Sequence, residues 1–139
     1  MRILITGSRG LIGTEMMQCL ANAGHRPVAF DIAYEPGTPG HGDIRNVDQL
    51  RQAMAGCDGV LSLAAVSRVI DGERNPELCW DVNVNGIEAV LRVALEQPAD
   101  GRPWVVYASS REVYGDSATL PVPSTLRGSS MSRSANPTR

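Results

Sequence analysis

Lysine is absent from the 139 residues, so all 13 basic side chains are arginines. A guanidinium stays charged and cannot serve as a tunable amine, which excludes from these residues any chemistry that needs a lysine ammonium. Cysteine is scarce: Cys19, Cys57 and Cys79 are odd in number, widely spaced and form no Cys-x-x-Cys pair. Neither a disulfide framework nor a metal site is indicated, and the expected state is three thiols in a reducing compartment. Neither sign of charge dominates. A net charge of −2 leaves no electrostatic footprint for nucleic acid or an anionic membrane. No apolar run reaches membrane-spanning length and no basic leader precedes Ile3, so the expected location is cytoplasmic.

What is present is the ordinary mixture of a soluble globular domain, 42% hydrophobic and 20% charged, with length for one domain. Ile3-Leu4-Ile5 is a continuous apolar run, as in a strand buried on both faces of a parallel sheet. A glycine turn leads into a helical pattern from Leu11 to Ala23, which Gly24 stops. Residues 27–31 form a second strand, and 36–42, with two prolines and three glycines, form a loop. A short helix, Val47 to Ala55, follows. Gly59 to Ala65 is the most apolar strand and is expected to be central. After a polar loop, Pro76 opens a long amphipathic helix to about Gln97, with Leu78, Val82, Ile87, Val90, Leu91, Ala94 and Leu95 expected to face inward. Trp104 to Ala108 is the last strand. Strand alternating with helix predicts an α/β fold, a Rossmann-type doubly wound parallel sheet of about five strands. From Asp116 the composition shifts to Ser, Thr, Pro and Arg without periodicity, so residues 1–115 read as the domain and 116–139 as an irregular or disordered tail.

The turn Thr6-Gly7-Ser8-Arg9-Gly10-Leu11-Ile12-Gly13 has the spacing of a dinucleotide pyrophosphate site. A helix N-terminus presents unpaired N–H groups and partial positive charge to a phosphate, provided that side chains do not block the approach. Gly7 permits the tight turn, Gly10 admits the pyrophosphate and Gly13 lets helix and strand pack closely. Asp31 lies 18 positions after Gly13, near the spacing of about 20 at which a carboxylate accepts from the adenosine ribose hydroxyls. That carboxylate repels a 2′-phosphate and favours NAD over NADP. Arg9 points the other way, since a guanidinium in the turn is able to bind a 2′-phosphate.

These residues resemble the extended short-chain dehydrogenase/reductases, the NAD-dependent epimerases and dehydratases of nucleotide sugars. The resemblance runs in order through the glycine turn, Asp31, Gly42-Asp43-Ile44, Leu63-Ala64-Ala65, Asn83-Val84-Asn85-Gly86, Ala108-Ser109-Ser110 and Val113-Tyr114-Gly115. It implies that Asp43 and Ile44 border the adenine, Asp43 through the exocyclic amine. Leu63, Ala64 and Ala65 would line the cofactor beside the central strand. Asn83 would support a neighbouring strand backbone and an active-site water. Ser110 matches the family's catalytic serine, and Tyr114 a structural tyrosine.

The same resemblance implies a catalytic Tyr-x-x-x-Lys pair, whose lysine lowers the tyrosine pKa for proton transfer. No tyrosine follows Tyr114, no lysine exists, and the matching region falls in the tail near Ala135. Three readings stay open. The leading one is the NAD-binding, N-terminal portion of a nucleotide-sugar epimerase or dehydratase, truncated and without turnover of its own. The second is a non-catalytic NAD(P)-binding sensor or interaction module. The third is an oxidoreductase with an unrecognised base. A nicotinamide dinucleotide is the expected partner, a nucleotide sugar is expected in full-length relatives, and a homodimer through helix 76–97 is a further expectation. Apolar surface left uncovered on the last strands and the long helix implies a marginally stable monomer.

Overall fold

A parallel ladder begins at the second residue. In the computed structural model, which describes residues 1–110, β1 (Arg2–Thr6) carries Ile3, Leu4 and Ile5, all of them buried. It leads through the glycine turn into α1 (Leu11–Asn22) and then β2 (Arg26–Phe30). α2 (Val47–Met54) is capped by Asn46, whose side chain accepts from the N–H groups of Asp48 and Gln49, as an N-cap should. β3 (Gly59–Ser62) and a short helix α3 (Val69–Arg74) follow. α4 (Pro76–Trp80) begins with proline at its first turn and continues through a π turn (Asp81–Asn85) into α5 (Gly86–Glu96). β4 (Trp104–Tyr107) is the last strand of the described residues.

The strand order is β2-β1-β3-β4, all parallel. Thr6 pairs with Phe30 on one side and Ser62 on the other, so three strands end level and open a crevice at their carboxyl ends, where ligands of doubly wound sheets bind. Successive side chains alternate between faces. Leu4, Phe30 and Val60 meet Leu50 and Met54 of α2 and Val90 and Val93 of α5 in one core cluster. α1 packs on β1 and β2. The chain divides into two units, Met1–Ala108 and Ser109–Arg139. The sheet and all of these helices belong to the first.

Among the described residues four strands form, at the four apolar runs from which strands were expected. Residues 36–42 are the expected loop, where prolines and glycines cannot sustain a ladder. What remains is a single parallel bridge between Asp31 and His41, in which Asp31 N–H donates to Gly40 O and Gly42 N–H donates to Asp31 O. The polar loop before Pro76 contains the unanticipated α3. The long helix also departs from the expected pattern. Val90 and Ala94 are buried, Val82 and Ile87 pack against the core, but Leu78, Leu91 and Leu95 are exposed, while Gly86, Ala89 and Val93 are buried instead. Ile87, Leu91 and Leu95 follow one another at a strict spacing of four, which drifts off a buried stripe that repeats every 3.6 residues, so Leu91 and Leu95 come out on the exposed side. The expected domain boundary at 115/116 lies outside the described residues, as do the tail, Val113-Tyr114-Gly115 and the neighbourhood of Ala135.

Candidate functional site

The turn after β1 is bound into the sheet before it reaches the helix. Gly7 N–H donates to Phe30 O at 2.9 Å, and the buried Ser8 side-chain oxygen accepts from Phe30 N–H at 3.0 Å. Gly7 adopts φ 74°, a left-handed conformation that favours glycine. A Cβ there would also lie 2.8 Å from Ala64 N. Gly10 is the N-cap of α1 and offers no side-chain acceptor, which leaves first-turn N–H groups open to an outside ligand. A Cβ at Gly13 would collide with the Gly7 carbonyl, and Gly13 is the only buried residue of α1. Thr6 ties the next strand in, its hydroxyl oxygen accepting from Leu63 N–H at 3.2 Å and Ala64 N–H at 3.3 Å.

A cleft of about 640 Å³ opens above these strand ends. Gly7, Gly10, Leu11, Ile12 and Gly13 form its floor and rim, with Asp31, Asp43, Ile44, Leu63, Ala64 and Ala65 around it. Leu11 and Ile12 are 89% and 61% exposed, so they form the mouth of the cleft rather than part of the core. Asp31 is held by backbone: one oxygen accepts from Arg9 N–H at 2.8 Å and the other from Ala33 N–H at 2.9 Å.

Two candidate cofactor residues do not line the cleft. Arg9 turns its guanidinium to Ala33 O at 3.3 Å and over the Tyr34 ring, 5.3 Å from its centroid, so only its backbone serves the site. Asn83 sits in the π turn and acts through Val66. Its side-chain oxygen accepts from Val66 N–H at 2.8 Å and its amide donates to Val66 O at 3.0 Å, and Val66 lines the cleft. Ser110 belongs to the second unit of the chain.

Arg45 is a cleft residue that motif matching does not single out. Its Nε lies 3.0 and 3.1 Å from the two Asp43 oxygens and its NH2 2.6 Å from one of them, while NH1 reaches Asp81 at 3.3 Å. This guanidinium holds the Asp43 carboxyl below the usual carboxylate range against the opposing effect of burial, as a hydrogen-bonded cation should. The detectable signal is an arginine two residues after an aspartate in a turn. Leu78 and Val82, from the helix beginning at Pro76, also reach the cleft, although Leu78 was expected in the core.

The chain matches the model of the "NAD dependent epimerase/dehydratase family" over residues 3–137. It is 32% identical to UDP-glucose 4-epimerase of Streptomyces lividans over 132 residues, 87% of this chain and 39% of that enzyme. It is 30% identical to 3-beta-hydroxysteroid dehydrogenase of Mycolicibacterium neoaurum over 82% of this chain and 33% of that enzyme. In structure it is similar to UDP-glucose-4-epimerase from Stenotrophomonas maltophila, solved with NAD and formylated UDP-arabinopyranose, with TM-score 0.77 and 27% identity over 92% of this chain and 42% of that one. The chain therefore spans about two fifths of the length of these epimerases.

Proposed function

The chain belongs to the NAD dependent epimerase/dehydratase family, and from that premise we propose that it is the NAD-binding portion of a nucleotide-sugar epimerase or dehydratase. The observation that carries this is the glycine cradle. Side chains at Gly7 and Gly13 would collide with backbone, and Gly10 leaves the helix N-terminus uncapped, so the turn has the bare N–H surface that a pyrophosphate requires. Asp31 takes the adenosine ribose hydroxyls. Asp43 and Ile44 take the adenine, and Leu63, Ala64 and Ala65 line the path beyond the pyrophosphate. The Asp31 carboxylate and the diversion of the Arg9 guanidinium onto Tyr34 both favour NAD over NADP. The relative from Stenotrophomonas maltophila was solved with NAD.

When bound, NAD supplies a hydride acceptor for a substrate carbon. This chain's own residues bind and orient it: the turn fixes the diphosphate, Asp31 and Asp43 fix the two ends of the adenosine, and Asn83 holds Val66 against the cleft. Ser110 is the candidate donor to a substrate oxygen. A Tyr-x-x-x-Lys pair to move the proton is not among these 139 residues, and proton transfer and the choice of nucleotide sugar belong to the whole protein. A second reading, a non-catalytic NAD(P)-binding module, shares the cofactor site. Three free thiols suit a reducing cytoplasm.

Thermal unfolding with and without each dinucleotide tests the proposal. A midpoint raised by NAD and raised less by NADP is expected, whereas a midpoint indifferent to both refutes it.

A further inference from the structure

We infer that Arg45 is a positioning residue for base recognition, fixing Asp43 as a hydrogen-bond acceptor and tying it through Asp81 to the π turn that carries Asn83. The inference rests on the reading of the cleft as a dinucleotide site. Its basis is one guanidinium shared between two carboxylates on different elements. Arg45 presents its backbone N–H to one Asp43 oxygen at 2.9 Å and grips both oxygens with Nε and NH2. Its NH1 reaches one Asp81 oxygen, and the other Asp81 oxygen accepts from the Asn85 side chain at 3.0 Å. Asp81 is thereby held from both sides and serves as an anchor. Two residues along the same turn, Asn83 holds Val66.

The consequence is chemical. A carboxylate at neutral pH is an acceptor only, and a guanidinium fork on both of its oxygens fixes the plane and direction in which it accepts. Asp43 also stands between the cleft and an adjoining open polar surface lined by His41, Asn46 and Gln49, where without Arg45 its side chain would have room to swing. Held as it is, Asp43 favours a base that offers a donor, the exocyclic amine of adenine, and rejects one that offers a carbonyl oxygen in the same place. The discrimination comes from the swap of a donor for an acceptor opposite the carboxylate, which turns an attraction into a repulsion between two acceptors. No glycine-turn or ribose contact distinguishes those two bases.

The test is calorimetric titration of the full 139-residue chain with NAD and with nicotinamide hypoxanthine dinucleotide, which replaces that amine by oxygen. The unsubstituted chain should prefer NAD by about tenfold or more, the scale of one mismatched hydrogen bond. Arg45→Gln should bring the two affinities within about threefold. Asp81→Asn, which leaves Asp43 paired but loosens the anchor, and Arg45→Lys, which keeps charge without the fork, should fall between. A folded Arg45→Gln chain that keeps the full preference overturns the inference and leaves the cofactor site standing. If Arg45→Gln fails to fold by circular dichroism, full preference in both other variants overturns it. Failure of the unsubstituted chain to bind NAD overturns the reading of the cleft and this inference with it.

Discussion

The Arg9 backbone N–H donates to the Asp31 carboxylate at 2.8 Å, joining the glycine turn after β1 to the end of β2. The glycine-turn end and the Asp31 end of the cleft are therefore a single hydrogen-bonded unit. Removing Asp31 loosens the turn as well as a ligand contact. Asp31→Ala should weaken NAD binding by about tenfold or more, the equivalent of one charge-assisted hydrogen bond. It should also narrow the gap between NAD and NADP. Equilibrium titration of both dinucleotides reads this, and an unchanged ratio would remove Asp31 from the ribose site.

The glycines of the turn separate fold from binding. A Cβ at Gly10 would sit 3.2 Å from Gly7 O, tight but close to tolerable, whereas one at Gly13 would overlap the same carbonyl. Gly13→Ala should cost about 1–3 kcal/mol of stability, the usual range for overpacking. Gly10→Ala should fold nearly as well yet lose NAD affinity, because its methyl group occupies the approach to the helix N-terminus. Urea denaturation beside NAD titration distinguishes the two, and equal stability losses would count against this division of roles.

Asn83 acts as a clamp, and a clamp can be weakened by halves. Asn83→Asp keeps the acceptor for Val66 N–H but loses the donor to Val66 O, and Asn83→Leu loses both. The second should destabilise by about 1–3 kcal/mol, mostly from the backbone groups of Val66 left unpaired, and the first by less. Amide hydrogen exchange at Val66 should accelerate in Asn83→Leu. Unchanged protection there would show that the loop is held otherwise.

The pairing of Asp43 with Arg45 has a definite pH signature. Because the folded-state pKa of Asp43 is depressed, chiefly by the Arg45 hydrogen bonds, its contribution is present above the ordinary carboxylate value of about 4 and is lost as pH falls through the lower folded value. Glu96 is depressed in the same sense by Arg51, so the native chain alone cannot isolate the pair. The difference in unfolding free energy between the native chain and Arg45→Gln should shrink as pH falls below about 4. A difference constant across that range would contradict the assignment.

Exposed apolar residues on α5 predict self-association. Leu91 and Leu95 are exposed at 45% and 63%, and dimerisation through helix 76–97 would cover them. Sedimentation should show a concentration-dependent dimer that Leu91→Glu with Leu95→Glu abolishes. A monomer at every concentration would remove this interface and leave those leucines simply exposed.

The sheet was legible in the sequence because its signals are local: Ile3-Leu4-Ile5 is an apolar run that leads into Gly7, and Gly59–Ser62 is one that opens on a glycine. The glycines of the turn were legible for a related reason, since a strand-to-helix turn packed this closely on backbone admits glycine and little else. What escaped depends on neighbours far along the chain. Apolar type and a spacing of four made Leu91 and Leu95 read as inward, whereas the buried stripe of α5 follows a 3.6-residue repeat through Gly86, Ala89 and Val93. Residue type identifies Arg9 as a cation but not that Tyr34 and Ala33 draw its guanidinium aside. Arg45 passed unnoticed because its meaning lies in Asp81, on another element 36 residues away.

The central claim is that the cleft above β1 and β3 holds NAD, and calorimetric titration of the purified chain with NAD tests it most directly. One site per chain, tighter for NAD than for NADP and abolished by Gly10→Ala in a still-folded protein, is the result predicted. No heat of binding with either dinucleotide, from a chain shown to be folded, would contradict it.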